Sequence, residues 1–324
     1  TWTGYFYKGN VKLTDDLAMN RAGIWNGWSA IRIANIVLET VDDPNWNANI
    51  TEDEKKLLKG QALFFRAFFH SEIMKFWGRI PYIDKVLTGN NGDYKIPRPA
   101  TYKECALRAD QDYAAAAELL PEDWDDLEGK IDSETIHSTT FGNSRRRINR
   151  AIVYSFKGRN LLYAASPLMH CSDTGVTPDT YKYDEELAEL AAEALAKVID
   201  MDNRDVLDLN LADKDHLLYC FTDRPGKTSY FPGTPEALET NQCEYIFSAP
   251  AQTPWACNYL ADSYMPYGGT NVITPNHTFV YNTFGTENGL SCQEDPEHKY
   301  QEQFEHRDPR FYHNLIIDLS LIHI

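Results

Sequence analysis

The feature that most restricts the fold is one helix written out between two explicit punctuation marks. Thr51 is followed three residues later by Glu54, the spacing of a capping box, in which hydroxyl and carboxylate each satisfy an amide of the first turn. Leu58, Ala62, Phe65, Phe69, Ile73 and Phe76 then recur at three- and four-residue steps and mark one helical face. Gly78 and Pro81 stop the helix.

The same grammar repeats on both sides. Leu17, Ile24, Trp28, Ile31, Leu38 and Val41 carry a helical period, with Pro44 just past its end. Thr101 and Glu104 open a third helix by the same box, and it runs to about Leu120, before Pro121. A polar connection over 122–147 reads as an exposed loop. A fourth helix runs from about Arg147 to Ala165, stopped by Pro167. A fifth spans roughly Asp184 to Asp200, and a short sixth is expected at Asp213 to Phe221. Helices in antiparallel pairs bury their apolar faces against the next pair, so the fold class is mainly α, with tetratricopeptide-like hairpins forming an α-α superhelix. Consensus Trp, Gly and Tyr positions are not kept at a fixed period, so the assignment rests on the helix pairs.

Beyond Phe221 the texture changes to short apolar runs between Gly, Pro, Asn and Thr. Tyr245 to Ser248 reads as a short strand, and Pro250 to Pro296 as mostly loops. Four regions follow: an irregular aromatic segment at 1–16, a helical-repeat region at 17–221, a loop-rich part at 222–318 expected to pack on the repeats, and the six residues 319–324. Leu319-Ser320-Leu321-Ile322-His323-Ile324 follows a polar segment with no turn signal and is what a common transposase adapter encodes. We expect it to be adapter read-through; natural coding sequence continuing past it in the source contig would refute this. The dense aromatics at Thr1 similarly lead us to expect that the natural N-terminus lies upstream.

A net charge of −17, spread along the chain, disfavours phosphate backbones and argues against nucleic acid as a partner. No stretch is long and apolar enough to cross a membrane as a helix. The six cysteines, at 105, 171, 220, 243, 257 and 292, have no zinc-site spacing and read as buried thiols or as one or two disulfides. Catalytic signals are thin. Asp295, Glu297, Glu302 and Glu305 offer carboxylates, but they sit in a charge-rich run with Lys299, Arg307 and Arg310 that reads as a solvated face. His298, His306 and His313 lack the His-Glu-x-x-His spacing of a metal helix, and no nucleophile elbow or phosphate loop occurs. We therefore expect no enzyme, no metal and no cofactor. Arg66, among phenylalanines, is expected to be buried and paired, tying helices together. Trp46 is expected to pack at a helix-to-helix turn.

Several blocks together resemble one family. Arg32-x-x-Asn35, Gly60-Gln61-Ala62-Leu63-Phe64-Phe65-Arg66-Ala67-Phe68-Phe69 and Phe76-Trp77-Gly78-Arg79-Ile80-Pro81 are similar to the G-E-A-R-F-L-R-A and G-G-V-P-L block of SusD/RagB proteins. Arg98-Pro99-Ala100-Thr101-Tyr102-x-x-Cys105, continuing through Ala117, Leu120 and Pro121, resembles the family's R-P-T-x-x-E-x-Y segment. Arg147 to Ala165 is similar to the next family helix, while Glu244-Tyr245-Ile246-Phe247 and Arg307-Asp308-Pro309-Arg310-Phe311 resemble its E-x-I-F and D-P-R-F pieces. The usual Glu is Gln61 here, and the usual small residues before Ala151 are Asn149 and Arg150. The resemblance implies a non-catalytic lipoprotein on the outer face of the outer membrane. Such a protein binds oligosaccharide, or in some members peptide, and caps a SusC-like TonB-dependent transporter. Its lipid-bearing Cys would lie upstream of Thr1. A general helical-repeat scaffold remains the alternative from another class.

Aromatic planes suit the C–H faces of sugar rings, at roughly 0.5–1.5 kcal/mol per contact by analogy with aromatic pairs. Aromatics make up 13% of the chain, with 19 Tyr and 7 Trp, and serve either as core or as platforms. Two loop-like segments match where the family places its ligand aromatics: Trp2, Tyr5, Tyr7 and Asn10, and Trp255, Asn258, Tyr259, Tyr264 and Tyr267.

Overall fold

The structure is a computed structural model, and it describes residues 24–46, 50–90, 92–127, 147–177, 180, 182–203, 246–247 and 277–314. Contacts divide the chain into two compact units, one of Thr1–Asp208 with Ile246–Ser248, the other of Leu209–Tyr245 with Ala249–Ile324.

Five helices build the first unit: α1 (Ile24–Val41), α2 (Glu52–Trp77), α3 (Tyr102–Leu119), α4 (Arg150–Ala165) and α5 (Glu185–Asn203). The architecture is mainly α, and no named strand occurs among the described residues. Each helix packs chiefly on its neighbours in sequence: α1 on α2, α2 on α3, α3 on α4 and α4 on α5. That nearest-neighbour pattern is the helical-hairpin stacking expected from the sequence.

The helix ends are set by local chemistry. The Thr51 hydroxyl accepts from Glu54 N–H at 3.2 Å, and the Glu54 carboxylate accepts from Thr51 N–H at 2.7 Å, a complete capping box. At α3 the box is looser: Thr101 accepts from Glu104 N–H, while the Glu104 carboxylate reaches Ala100 N–H instead. Asn149 caps α4 by accepting from Ile152 N–H at 2.9 Å. Arg150 donates to Ala117 O of α3 and pairs with Glu122. Asp184 caps α5 through Leu187 N–H. Helix α2 ends at Gly78, whose φ of 68° and ψ of −142° lie where only glycine sits without strain.

Small residues let the helices approach closely. Ala67, Ala106, Ala109, Ala116, Ala151, Ala164 and Ala165 are all fully buried. Around them Phe64, Tyr113, Trp124, Ile152 and Val153 fill one core cluster, and Ile31, Ile73, Met74, Tyr102 and Leu187 a second. A Cβ on Gly60 would stand 2.9 Å from Leu120 Cγ, so the α2–α3 approach needs glycine there.

Four expectations change. Of the face expected for α2, Ala62 and Ile73 are buried, but Leu58, Phe65 and Phe76 are exposed, because α2 packs through Leu57, Leu63, Phe64, Ala67 and Met74. Residues 246–247 are not strand: Ile246 packs on the helical core, and Phe247 meets the Phe156 ring edge-on at 6.3 Å. Their apolar character reflects docking on helices rather than pairing in a sheet. A two-turn helix, α6 (His277–Thr283), interrupts the stretch expected to be mostly loop. Asp295 and Arg307 are buried rather than part of a solvated face, for reasons given below. Trp46 is half-buried at a turn closed by its own N–H on Asp43 O at 3.0 Å. Cys105, Cys171 and Cys292 are free thiols, and the remaining cysteines lie outside the described residues. So do the sixth helix expected at 213–221, the segment 1–16 and residues 319–324.

Candidate functional site

Two constructions in the described residues fix side chains with unusual exactness of position. The first is a polar junction in the helical unit. The Arg66 guanidinium grips Asp112 of α3 with two bonds of 2.6 Å, and both side chains are only 11% exposed. Its remaining amine donates to Asn35 of α1 and to Asp84 O. Burial, which would lower the Arg66 pKa, is outweighed by Asp112, so the group stays charged. Asp112 also accepts from Tyr82 OH at 2.6 Å. Asn35 donates to Ile83 O and Lys85 O. His70 accepts from Ile83 N–H on Nε2, which leaves Nδ1–H to donate to Arg66 O, and its ring stacks on Tyr82 at 3.9 Å. One Arg, one Asp, one Asn and one His, from three helices, therefore bind the loop after α2. The junction is structural: every polar group in it points at the protein.

The second construction lies in the other unit and faces outward. Helix α6 places His277 and Tyr281 one turn apart, on one face. Their rings stack at 6.1 Å, and Tyr300 leans on both, at 6.3 and 6.1 Å. His298 packs on Tyr281 at 5.6 Å. Tyr300 is 60% exposed and His277 is exposed too. Polar groups edge the cluster. His277 Nε2 bonds Gln303 Oε1 at 2.7 Å, and His298 Nε2 is buried without a partner. A buried imidazole nitrogen left unsatisfied costs about 1–3 kcal/mol.

What holds these rings is the segment Arg307-Asp308-Pro309-Arg310-Phe311. Arg307, 3% exposed, donates to Gln303 O, Gly285 O, Tyr281 O and Phe284 O, the last at 2.6 Å. Three of those carbonyls belong to or follow the last turn of α6, the negative end of the helix dipole. The buried charge is thus spread over backbone oxygens rather than one carboxylate. The guanidinium also sits over the Tyr281 and Phe311 rings, at 5.6 and 4.7 Å. Asp308 starts α7 (Pro309–Asn314) by accepting from Arg310 N–H, with Pro309 at the first helical position. The Arg310 guanidinium bonds the same carboxylate and holds it below the usual range. Phe311, fully buried, packs between Phe284 and Phe304. Asp295 is buried because it closes a turn: it accepts from Thr286 Oγ1 at 2.5 Å, from Glu297 N–H and from Asn288, which keep its carboxyl ionised.

Chemically the cluster offers an exposed phenol beside the Gln303 amide. No three His, Cys, Asp or Glu side chains converge as a metal site among the described residues. Sequence reasoning missed these rings because the pair His277 and Tyr281 and the pair His298 and Tyr300 are separated in sequence and share no motif. The i, i+4 pair His277 and Tyr281 was the available signal. The residues it favoured instead, Trp2, Tyr5, Tyr7, Asn10, Trp255, Asn258, Tyr259, Tyr264 and Tyr267, lie outside the described residues.

Comparison with known proteins converges on one group. Residues 7–134 match a SusD-like family described as starch-binding and associating with the outer membrane. No curated protein gives a significant match. Among solved structures, a SusD-like protein of Bacteroides fragilis shares the fold with a TM-score of 0.58 at 20% identity, covering 94% of this chain and 50% of its own. A SusD-like carbohydrate-binding protein of the same organism gives 0.56 at 16% identity, over 94% of this chain and 47% of its own. The chain thus spans about half the length of the solved structures it resembles. Residues 7–134 thus match a SusD-like family model, and the stacked helical hairpins share the fold of SusD-like proteins.

Proposed function

We propose that this chain captures oligosaccharide at the cell surface without cleaving it and hands it to a SusC-like TonB-dependent transporter in the outer membrane. In this reading a lipid anchor upstream of Thr1 tethers the protein to the extracellular face. The helical region 17–221 is scaffold, and the loop-rich part 222–318 presents the ligand site. The observation that carries it is the exposed Tyr300 ring on a cluster braced by a buried arginine. A rigid platform suits sugars because stacking gains little if the ring must first be ordered. The Gln303 amide, bonded to His277 Nε2, supplies a hydrogen-bonding group beside the ring, as an oriented polyol requires. Trp255, Asn258, Tyr264 and Tyr267, and separately Trp2, Tyr5, Tyr7 and Asn10, are the further candidates for glycan contact that the sequence supplies.

Affinity gel electrophoresis tests this. Polysaccharide embedded in the gel should retard the wild-type chain. Tyr300→Ala and Trp255→Ala should each restore mobility toward the ligand-free value, by about 0.5–1.5 kcal/mol of lost binding. Unchanged mobility of wild type across a broad set of polysaccharides refutes capture. Release of aryl alcohol from an aryl glycoside by pure protein refutes the non-catalytic part.

A further inference from the structure

The platform around Tyr300 carries a charge that its ring geometry does not require. Residues 277–314 hold seven carboxylates against three Lys and Arg side chains. Each of those cations is already committed. Arg307 is buried on backbone carbonyls, Arg310 grips Asp308 at 2.5 Å, and Lys299 pairs with Glu302 at 3.2 Å. Glu297 accepts from the neutral Asn288 amide at 3.3 Å, and Glu305 pairs with no Lys or Arg among the described residues.

These carboxylates stand close to the exposed ring. Tyr300 opens the short tight helix Tyr300–Glu302, and Glu305 N–H closes the following turn on Glu302 O at 2.8 Å. Glu302 is two residues from Tyr300 and Glu297 three, so their Cα atoms lie within about 7 and 11 Å of its own. Charges act through water over a Debye length of about 8 Å at physiological salt. A ligand stacked on Tyr300 therefore sits in their field without touching them. Strong recognition of an anionic group takes a charged donor free to face it, and none of the three Lys and Arg side chains here is free.

We propose that the platform selects its ligand by charge, accepting neutral polysaccharide chains and rejecting those that carry sulfate or carboxylate groups. This rests on the capture proposed above and adds the class of chain captured. An anionic chain brings a like charge into that field with each repeat, and like charges held this near oppose binding. A neutral chain meets no such cost, so the discrimination comes from repulsion of the wrong ligand rather than from added contacts with the right one. The net charge of −17 belongs to the whole chain, whereas the platform's own carboxylates act where the sugar lands. Neutralising one set and then the other tells the two apart.

The test measures binding of soluble starch, dextran and galactomannan, each beside its sulfated derivative, to the immobilised whole chain at about pH 8, above the ordinary imidazole range. In about 0.15 M salt the neutral form that binds should do so roughly 10-fold more tightly than its sulfated derivative, and the gap should narrow in about 1 M salt, where charges reach only about 3 Å. Glu297→Gln, Glu302→Gln and Glu305→Gln combined should tighten binding of the sulfated form roughly 3-fold or more. Glu185→Gln, Glu189→Gln and Glu193→Gln combined, at exposed positions of α5 in the other compact unit, should change it by less than about 2-fold. Circular dichroism checks that both variants fold. Equal affinity for neutral and sulfated forms in wild type overturns the proposal, as does a gap that the platform variant leaves unchanged or that the α5 variant closes as far. Binding of a sulfated form alone refutes charge selection and leaves capture standing. Failure of every probe refutes capture, and this inference falls with it.

Discussion

Removing Asp112 should be the most damaging single change to the helical unit away from its apolar core. In Asp112→Ala the Arg66 guanidinium loses both 2.6 Å bonds and keeps only Asn35 and Asp84 O, and Tyr82 OH loses its acceptor. With both partners 11% exposed, water reaches the orphaned charge poorly. Breaking a buried pair from one side costs about 3–5 kcal/mol, because an uncompensated charge remains. In urea that corresponds to a midpoint lower by roughly 1–2 M for a unit of this size. The matching change Arg66→Met should cost a similar amount. The double variant should cost little more than either single one, since no buried charge is then left over, giving a coupling of about 3 kcal/mol. Far-UV circular dichroism reads the helices, and the fluorescence of fully buried Trp124 reads their packing. Additivity of the two single changes to within about 0.5 kcal/mol would refute the claim that this pair ties α2 to α3.

Three further outcomes follow from the same geometry. Burial lowers the His70 pKa to about 4, so the folded chain keeps it neutral while the unfolded chain protonates near 6.5. Its contribution is therefore full above pH 6.5 and is lost as pH falls toward 4, by roughly 3 kcal/mol in total; urea unfolding at pH 7 and 4.5 should show that loss, and His70→Gln should flatten it. Gly78→Ala forces a side chain into a glycine-only conformation and should lower stability by about 1–3 kcal/mol, measured as a urea midpoint; an unchanged midpoint would show that the helix end relaxes freely. Arg307→Met removes four donations to backbone carbonyls, so amides of 277–285 should exchange roughly 10- to 100-fold faster, and unchanged exchange would deny Arg307 its bracing role.

The helices were legible in the sequence because their signals are local. A capping box, a three-to-four period and a terminal Gly or Pro all act within one turn, and Thr51, Glu54, Gly78 and Pro167 sit where those rules place them. Even the pairing of Arg66 was foreseeable, since a charge among phenylalanines has few alternatives. Which group pairs with it was not. Asp112 is 46 residues away, and only the packing of α2 on α3 brings it within reach. Tertiary structure likewise made Asp295 a buried turn acceptor and Arg307 a helix brace, although their neighbours in sequence are charged and exposed. It also gathered His277, Tyr281, His298 and Tyr300 into one surface. Side-chain burial depends on what folds over a residue from elsewhere in the chain, so local composition determines the elements while long-range packing decides which side chains meet and which face water.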